Sequence, residues 1–174
     1  MLKTLQNAFK IKEIREKLLY TFFMLVVIRI GSQLPIPGVN TTFFDELFSR
    51  QGNDAFGFFN TITGGSFTNM SVFALSITPY ITSSIIMQLL TIAIPKLEEM
   101  QRDGEDGRKK IAEYTRYLTV ALALMQSIAM SVGFGGKGLL LEFTAMNVIV
   151  AIATMTAGSA MLMWIGERIT ENGV

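Results

Sequence analysis

The sequence contains no cysteine and no histidine among its 174 residues. Without cysteine the chain can form no disulfide framework, and without either residue it can form no Cys/His metal site. Histidine is also the side chain best suited to acid–base catalysis near neutral pH. No other catalytic constellation stands out, so we expect a protein that is not an enzyme and that needs neither a metal nor a cofactor.

Charged residues are also scarce, at 17% against about 25% in soluble domains. They are absent from three long segments, at 55–95, 117–136 and 143–166. An apolar helix of about 20 residues is what a hydrocarbon core of about 30 Å requires. The sequence therefore predicts an all-α fold, a polytopic bundle of membrane helices.

Four apolar runs have the length of transmembrane helices: 18–34, 71–94, 117–133 and 143–165. The segments around them complete the predicted organisation: an amphipathic cytosolic segment at 1–17, an outer loop at 35–70, a basic cytosolic loop at 95–116, an outer turn at 134–142 and a cytosolic tail at 166–174.

Lysine and arginine are distributed unequally between the two sides that this alternation of spans defines. Twelve lie in the N-terminal segment, the 95–116 loop and the tail, whereas the other side holds only Arg50 and Lys137. Positive charge favours the cytoplasmic side, so both termini are predicted to be cytoplasmic. Arg29 lies inside the first span, where it either snorkels to the outer interface or holds the adjoining turn.

The stretch FALSITPYITSSIIMQLL, at 73–90, combines an apolar span with five hydroxyl side chains and a proline. Pro79 has no backbone N–H and is expected to bend the helix. At 100° per residue, Ile77, Ile81 and Ile85 form one stripe, and Thr82 lies beside it. This pattern fits either ordinary packing in a helical bundle or a helix that lines a gated path.

Three functions remain open from the residues alone: a channel with a gated path, a small-solute transporter or its fragment, and a membrane scaffold with no transport path. A transporter predicts polar or charged coordinating groups at mid-membrane, and the spans contain no intramembrane acidic pair. A scaffold predicts a uniformly apolar second span, which the hydroxyl band contradicts.

Five strings occur in the order of a known family and cover most of the chain: RIGSQLPIPGV (29–39), NTITGGSF (60–67), SITPYITSSIIMQLL (76–90), GRKKIAEYTRY (107–117) and MWIGERITENGV (163–174). Together they resemble bacterial SecY, the family of central subunits of the general protein-conducting channel. The resemblance implies a bacterial plasma-membrane location.

The resemblance also implies roles for particular residues. Ile77 and Ile81 match positions of the pore ring, which seals around a translocating chain. Thr82 and Gln126 match the lateral gate, and Pro79 is the bend between ring and gate. A short re-entrant plug helix is expected at about 55–65, and its key residues are Phe56, Phe58, Phe59, Ile62, Gly64 and Gly65.

The family's substrates are unfolded secretory polypeptides and signal sequences. Its partners are SecE, SecG and either the SecA motor or the ribosome, and no nucleic acid is expected as a ligand. The family continues into a fifth span and a second half, so this chain resembles an N-terminal fragment. We expect such a fragment to be inactive alone and to pair with a complementary C-terminal half or with a second copy.

Overall fold

The fold, obtained as a computed structural model, is described for residues 11–43, 46, 61, 65–66 and 68–173. The elements whose bounds lie within these residues are α1 (Lys12–Gly31), α2 (Thr78–Ala93), α3 (Pro95–Arg102), α4 (Glu105–Phe134), a π turn (Gly135–Leu139) and α5 (Ala145–Asn172). Extended pairing within the described residues is limited to two isolated antiparallel bridges, Pro35 with Ser71 and Val39 with Leu140. The predicted all-α class is confirmed.

Within the described residues, two helices are long and apolar enough to cross a membrane: Glu105–Leu139 and Ala145–Asn172. The pair α2 and α3 counts as a third if it is one span, although the two helices are bent by 101°. The first predicted span, 18–34, falls mostly on α1, which has 20 residues but carries charge in its first turns and Arg29 near its end. Its insertion therefore stays a prediction.

The second predicted span, 71–94, starts later as a helix than the sequence suggested. Residues 71–77 form turns, and α2 begins only at Thr78. Ser76 has a φ of 54°, in the left-handed region, which cannot continue a right-handed helix. Pro79 consequently lies in the first turn of α2, where a missing N–H costs no hydrogen bond. The sharp bend lies instead between α2 and α3, at Ile94.

The charged segment 95–116 is mostly helical rather than an irregular loop. Pro95 opens α3, where its fixed φ suits the first turn of a helix. Glu98 and Arg102, one helical turn apart, pair at 2.6 Å on the exposed surface. After a short turn α4 begins at Glu105 and continues without a break through the predicted third span. The charged segment therefore comprises a separate short helix, α3, at a sharp angle to α2, and the first turns of α4.

Small side chains allow the long helices to approach closely. α4 packs against α5 and α2, and α1 packs against α5. On α4 the buried positions recur every four residues: Thr115, Thr119, Ala123, Ser127 and Ser131. A separate apolar core lies at the predicted outer end, where the 36–39 and 70–74 segments meet the π turn and the adjoining ends of α4 and α5. These contacts fix α2 within the bundle.

Candidate functional site

One face of α2 is buried in the bundle, and its side chains are small or polar except for one methionine. Its buried residues are Pro79, Ser83, Met87 and Thr91. The Ser83 hydroxyl donates to the Pro79 carbonyl at 2.7 Å, and the Thr91 hydroxyl donates to the Met87 carbonyl at 2.7 Å. Because the hydroxyls bond to their own helix, they can be buried without an unpaired donor. The polar part of this helix therefore serves packing.

The other face of α2 is aliphatic and exposed. Ile81 is 50% exposed, Ile85 51%, Leu89 62% and Ile92 80%. These positions follow each other by three or four residues, so they form one continuous stripe along the helix. The stripe points away from α4 and α5, and within the described chain it is free to meet lipid or another polypeptide.

Ile77 lies immediately before α2 and lines a cavity of about 380 Å³. The cavity opens between α1, the segment that precedes α2, and α5. Its lining is mostly apolar, with Arg29, Ser32, Ser66 and Ser76 as the polar contributors. Ile77 and Ile81 are therefore both at the bundle surface, one beside this cavity and the other on the exposed stripe.

The two residues matched to the lateral gate lie on different helices, Thr82 on α2 and Gln126 on α4. Both are partly buried. The Thr82 hydroxyl donates to the carbonyl of Thr78 at 3.0 Å. Their role at a gate stays a prediction.

Most residues matched to the plug lie outside the described part of the chain, namely Phe56, Phe58, Phe59, Ile62 and Gly64. The exception is Gly65, which has a φ of 83°. That left-handed conformation strains any side chain larger than hydrogen. A hinge at Gly65 therefore has a physical basis, whereas the plug itself stays a prediction.

A second cleft, of about 450 Å³, lies where α2, α3 and α4 meet the end of α5. Beside it an ion pair joins α4 to α5: Arg116 Nε donates to Glu167 Oε1 at 2.8 Å. The sequence reasoning missed this pair. A signal was available, because both residues lie in the family-like strings and at the same predicted end of consecutive spans.

Comparison with known proteins is consistent with this arrangement. A family model described as SecY matches residues 71–174. Among curated relatives, the protein translocase subunit SecY of Halalkalibacterium halodurans is 45% identical over the whole chain and over 40% of its own length. The SecY subunit of Pseudomonas aeruginosa is 44% identical over 94% of this chain and 37% of its own. This chain thus spans about two-fifths of the length of these relatives.

Two solved structures have a similar fold: Sec61 in the canine ribosome-channel complex from the endoplasmic reticulum, and a structure described as that of a protein conducting channel. Each aligns with a TM-score of 0.60, covers 92% of this chain and 33% of its own, and is 21% identical. At this identity the match establishes the fold.

Proposed function

The chain belongs to the SecY family, and from this membership we propose that it forms the N-terminal part of a channel that conducts polypeptides across and into a membrane. Its proposed substrates are unfolded secretory polypeptides and signal sequences. The family matches do not favour a small-solute transporter.

The observation that carries this proposal is the exposed aliphatic stripe on α2, which includes Ile81, one of the two residues matched to the pore ring. An exposed aliphatic face also suits lipid, so the proposal rests on this exposure together with the match of Ile81 to the pore ring. Here Ile81 is half exposed while Ser83, two residues later, is 0% exposed. A hydrophobic constriction requires this combination: aliphatic side chains presented outward from a helix whose back is held rigidly.

The other elements of the channel follow from the family. We assign the plug to about 55–65, next to the glycine hinge, and one side of the lateral gate to Thr82 and Gln126. The gate assignment is supported by the packing of α2 on α4, because both residues belong to that helix pair.

We further propose a plasma-membrane location in a bacterium, with both termini cytoplasmic. The charge pattern supports this orientation. The start of α4 and the end of α5 lie at one end of the bundle, where Arg116 and Glu167 pair. At that same end Arg168 lies 5.6 Å from the ring centre of Trp164, as expected for an aromatic at the interface.

The proposed partners are those of the family: SecE, SecG and either SecA or the ribosome. A complementary C-terminal part would complete the pore that Ile77 and Ile81 line on this side. Pairing with a second copy is the alternative for the isolated chain. No chemical step is proposed for these residues, and the driving force would come from the partner.

The test is cysteine crosslinking in a completed channel, in which this chain is joined to the remainder of the Halalkalibacterium halodurans relative. Single cysteines replace Ile77, Ile81 or Ser83, and a secretory chain is stalled during translocation. We expect crosslinks from 77 and 81 and none from Ser83→Cys, a nearly isosteric control on the buried face. If 77 and 81 give no crosslinks while pore positions in the relative's half give clear ones, the assignment of Ile77 and Ile81 to the pore ring is wrong.

A further inference from the structure

The segment 71–77, which leads into α2 and ends at Ile77, is held by backbone hydrogen bonds on its outer side. Val72 N–H donates to the Leu34 carbonyl at 2.9 Å, and Ser71 N–H donates to the Ser66 carbonyl at 3.0 Å. Ser71 also forms an isolated bridge with Pro35. The segment is therefore ordered by its neighbours, although it is not helical.

On one side, this segment packs against Gly31, the last residue of α1. A Cβ built on Gly31 would overlap the ring of Phe73, with Cζ only 2.7 Å away. Phe73 is 4% exposed, so the ring fills the space that a side chain at position 31 would need. Only glycine lets the end of α1 and this ring lie so close together.

On the other side, the same segment packs against Gly158 of α5. A Cβ on Gly158 would overlap the carbonyl oxygen of Val72 and lie 2.8 Å from its carbonyl carbon. This neighbour is backbone, so it cannot swing aside as a flexible side chain could. The next residue, Ser159, donates from its hydroxyl to the Ser76 carbonyl at 3.5 Å.

The face of α5 that touches the segment continues to Ile77. Gly158, Leu162 and Gly166 follow each other at intervals of four residues and therefore lie on one face. A Cβ on Gly166 would lie 3.7 Å from Cδ1 of Ile77, an ordinary van der Waals contact. Leu162 and Gly166 also line the cavity that Ile77 borders.

Building on the pore role of Ile77 proposed above, we infer that Gly31 and Gly158 are positioning residues that clamp segment 71–77 and thereby set how far Ile77 projects into the pore. A larger residue at 158 displaces the backbone at Val72. Ile77 follows Val72 by only five positions, and the turns between them are hydrogen-bonded. The displacement is therefore transmitted to Ile77 and loosens the closed seal.

The test uses the completed channel defined above, carrying Gly158→Ala or Gly158→Val. The matched controls are Gly133→Ala and Gly133→Val, because a Cβ on Gly133, also helical, meets nothing within 4 Å. Two readouts are normalised to the amount of inserted protein: ion leak through idle channels, and the rate at which a water-soluble maleimide labels a cysteine at 77.

We expect both readouts to rise for Gly158 variants, more for valine than for alanine, by about ten- to a hundredfold, since overpacking of this kind shifts conformational equilibria to that extent. The Gly133 controls should stay at the parent level. Unchanged labelling at 77 in inserted Gly158→Ala channels would overturn the clamp.

Gly31 offers a rescue that separates positioning from general damage. Gly31→Ala alone should raise leak and labelling at 77, because its Cβ meets the Phe73 ring. The double variant Gly31→Ala with Phe73→Leu should return both toward the parent level, since the smaller side chain vacates that space. A double variant at least as leaky as Gly31→Ala would contradict the clamp.

Different experimental results would contradict the proposed function and the clamp. If a cysteine at 77 does not crosslink to a stalled chain in the parent channel, the pore assignment fails, while the labelling rates still decide whether the glycines hold Ile77. If that cysteine does crosslink but the Gly158 variants raise labelling without leak, the pore assignment stands and the clamp does not set the seal.

Discussion

The two faces of α2 differ in a way that reverses the pattern of a soluble helix. The buried face contains Ser83 and Thr91, whereas the exposed face contains Ile81 and Ile85. In water the aliphatic side chains would be buried by the hydrophobic effect. In a membrane that force is absent between helices, and small side chains that permit close approach decide which face packs inward.

Hydroxyl groups in a membrane span therefore need not mark a water-filled path. On the buried face each serine or threonine satisfies itself on its own helix. What points to function is the opposite face, where branched aliphatic side chains are presented without a partner in the described chain.

The two faces of α2 should differ most in how much folding stability is lost when a long side chain is shortened. Met87 is 6% exposed and Leu89 is 62% exposed. We expect Met87→Ala to lower the free energy of unfolding by about 2 kcal/mol, near the low end for core truncations because lipid rather than water is the reference. Unfolding in mixed micelles measures this change. Leu89→Ala is the control, expected within about 0.5 kcal/mol, and equal losses would contradict the assignment of faces.

At the charged end of the bundle, a substitution is expected to cost less stability than one on the buried face of α2. Arg116 and Glu167 join α4 to α5, but the Arg116 side chain is 46% exposed. Solvent screening therefore limits the expected loss for Arg116→Gln to below about 1 kcal/mol. A double-mutant cycle with Glu167→Gln isolates the pair. Coupling that persists in high salt would show that screening is weaker than the exposure indicates.

The smallest effect concerns a hydroxyl contact between α4 and α5, Ser127 Oγ to Thr156 Oγ1 at 3.0 Å. Each hydroxyl has a single proton, and the one that does not donate across the helix pair donates to a carbonyl of its own helix, Leu124 for Ser127 or Ile152 for Thr156. We expect a coupling of about 0.6 kcal/mol in a cycle of Ser127→Ala and Thr156→Val, the average for such contacts in membranes. A coupling several times larger would mean that polar contacts, and not close packing, hold the buried face.

The general architecture could be predicted because charge and hydropathy act locally. Charge-free runs located α4 and α5, and Pro95 with the Glu98–Arg102 spacing is a helix-start pattern that the loop interpretation overlooked. The start of α2 could not be predicted. It depends on the left-handed Ser76 and on backbone pairing with residues near Pro35, and neither has a signature in the local sequence.

The close approaches of glycine were only partly foreseeable. On α5 small residues recur at intervals of four, Ala153 with Ala157 and Thr154 with Gly158, so the sequence permits close approach along either pair. Gly158 is buried against the Val72 backbone, whereas Ala153 and Ala157 are exposed. The sequence marks where close approach is possible, but which small residue is used depends on where the 71–77 segment lies.

The central claim, that the exposed face of α2 lines a polypeptide path while the opposite face packs inward, is tested most directly by a crosslinking scan. Single cysteines are placed at each position from 77 to 92 of the completed channel, with a secretory chain stalled inside. We predict crosslinks at 77, immediately before α2, and along its exposed face at 81, 85 and 89, strongest at 77 and 81, and none at 83, 87 and 91. A flat profile, or maxima at the buried positions, would contradict it.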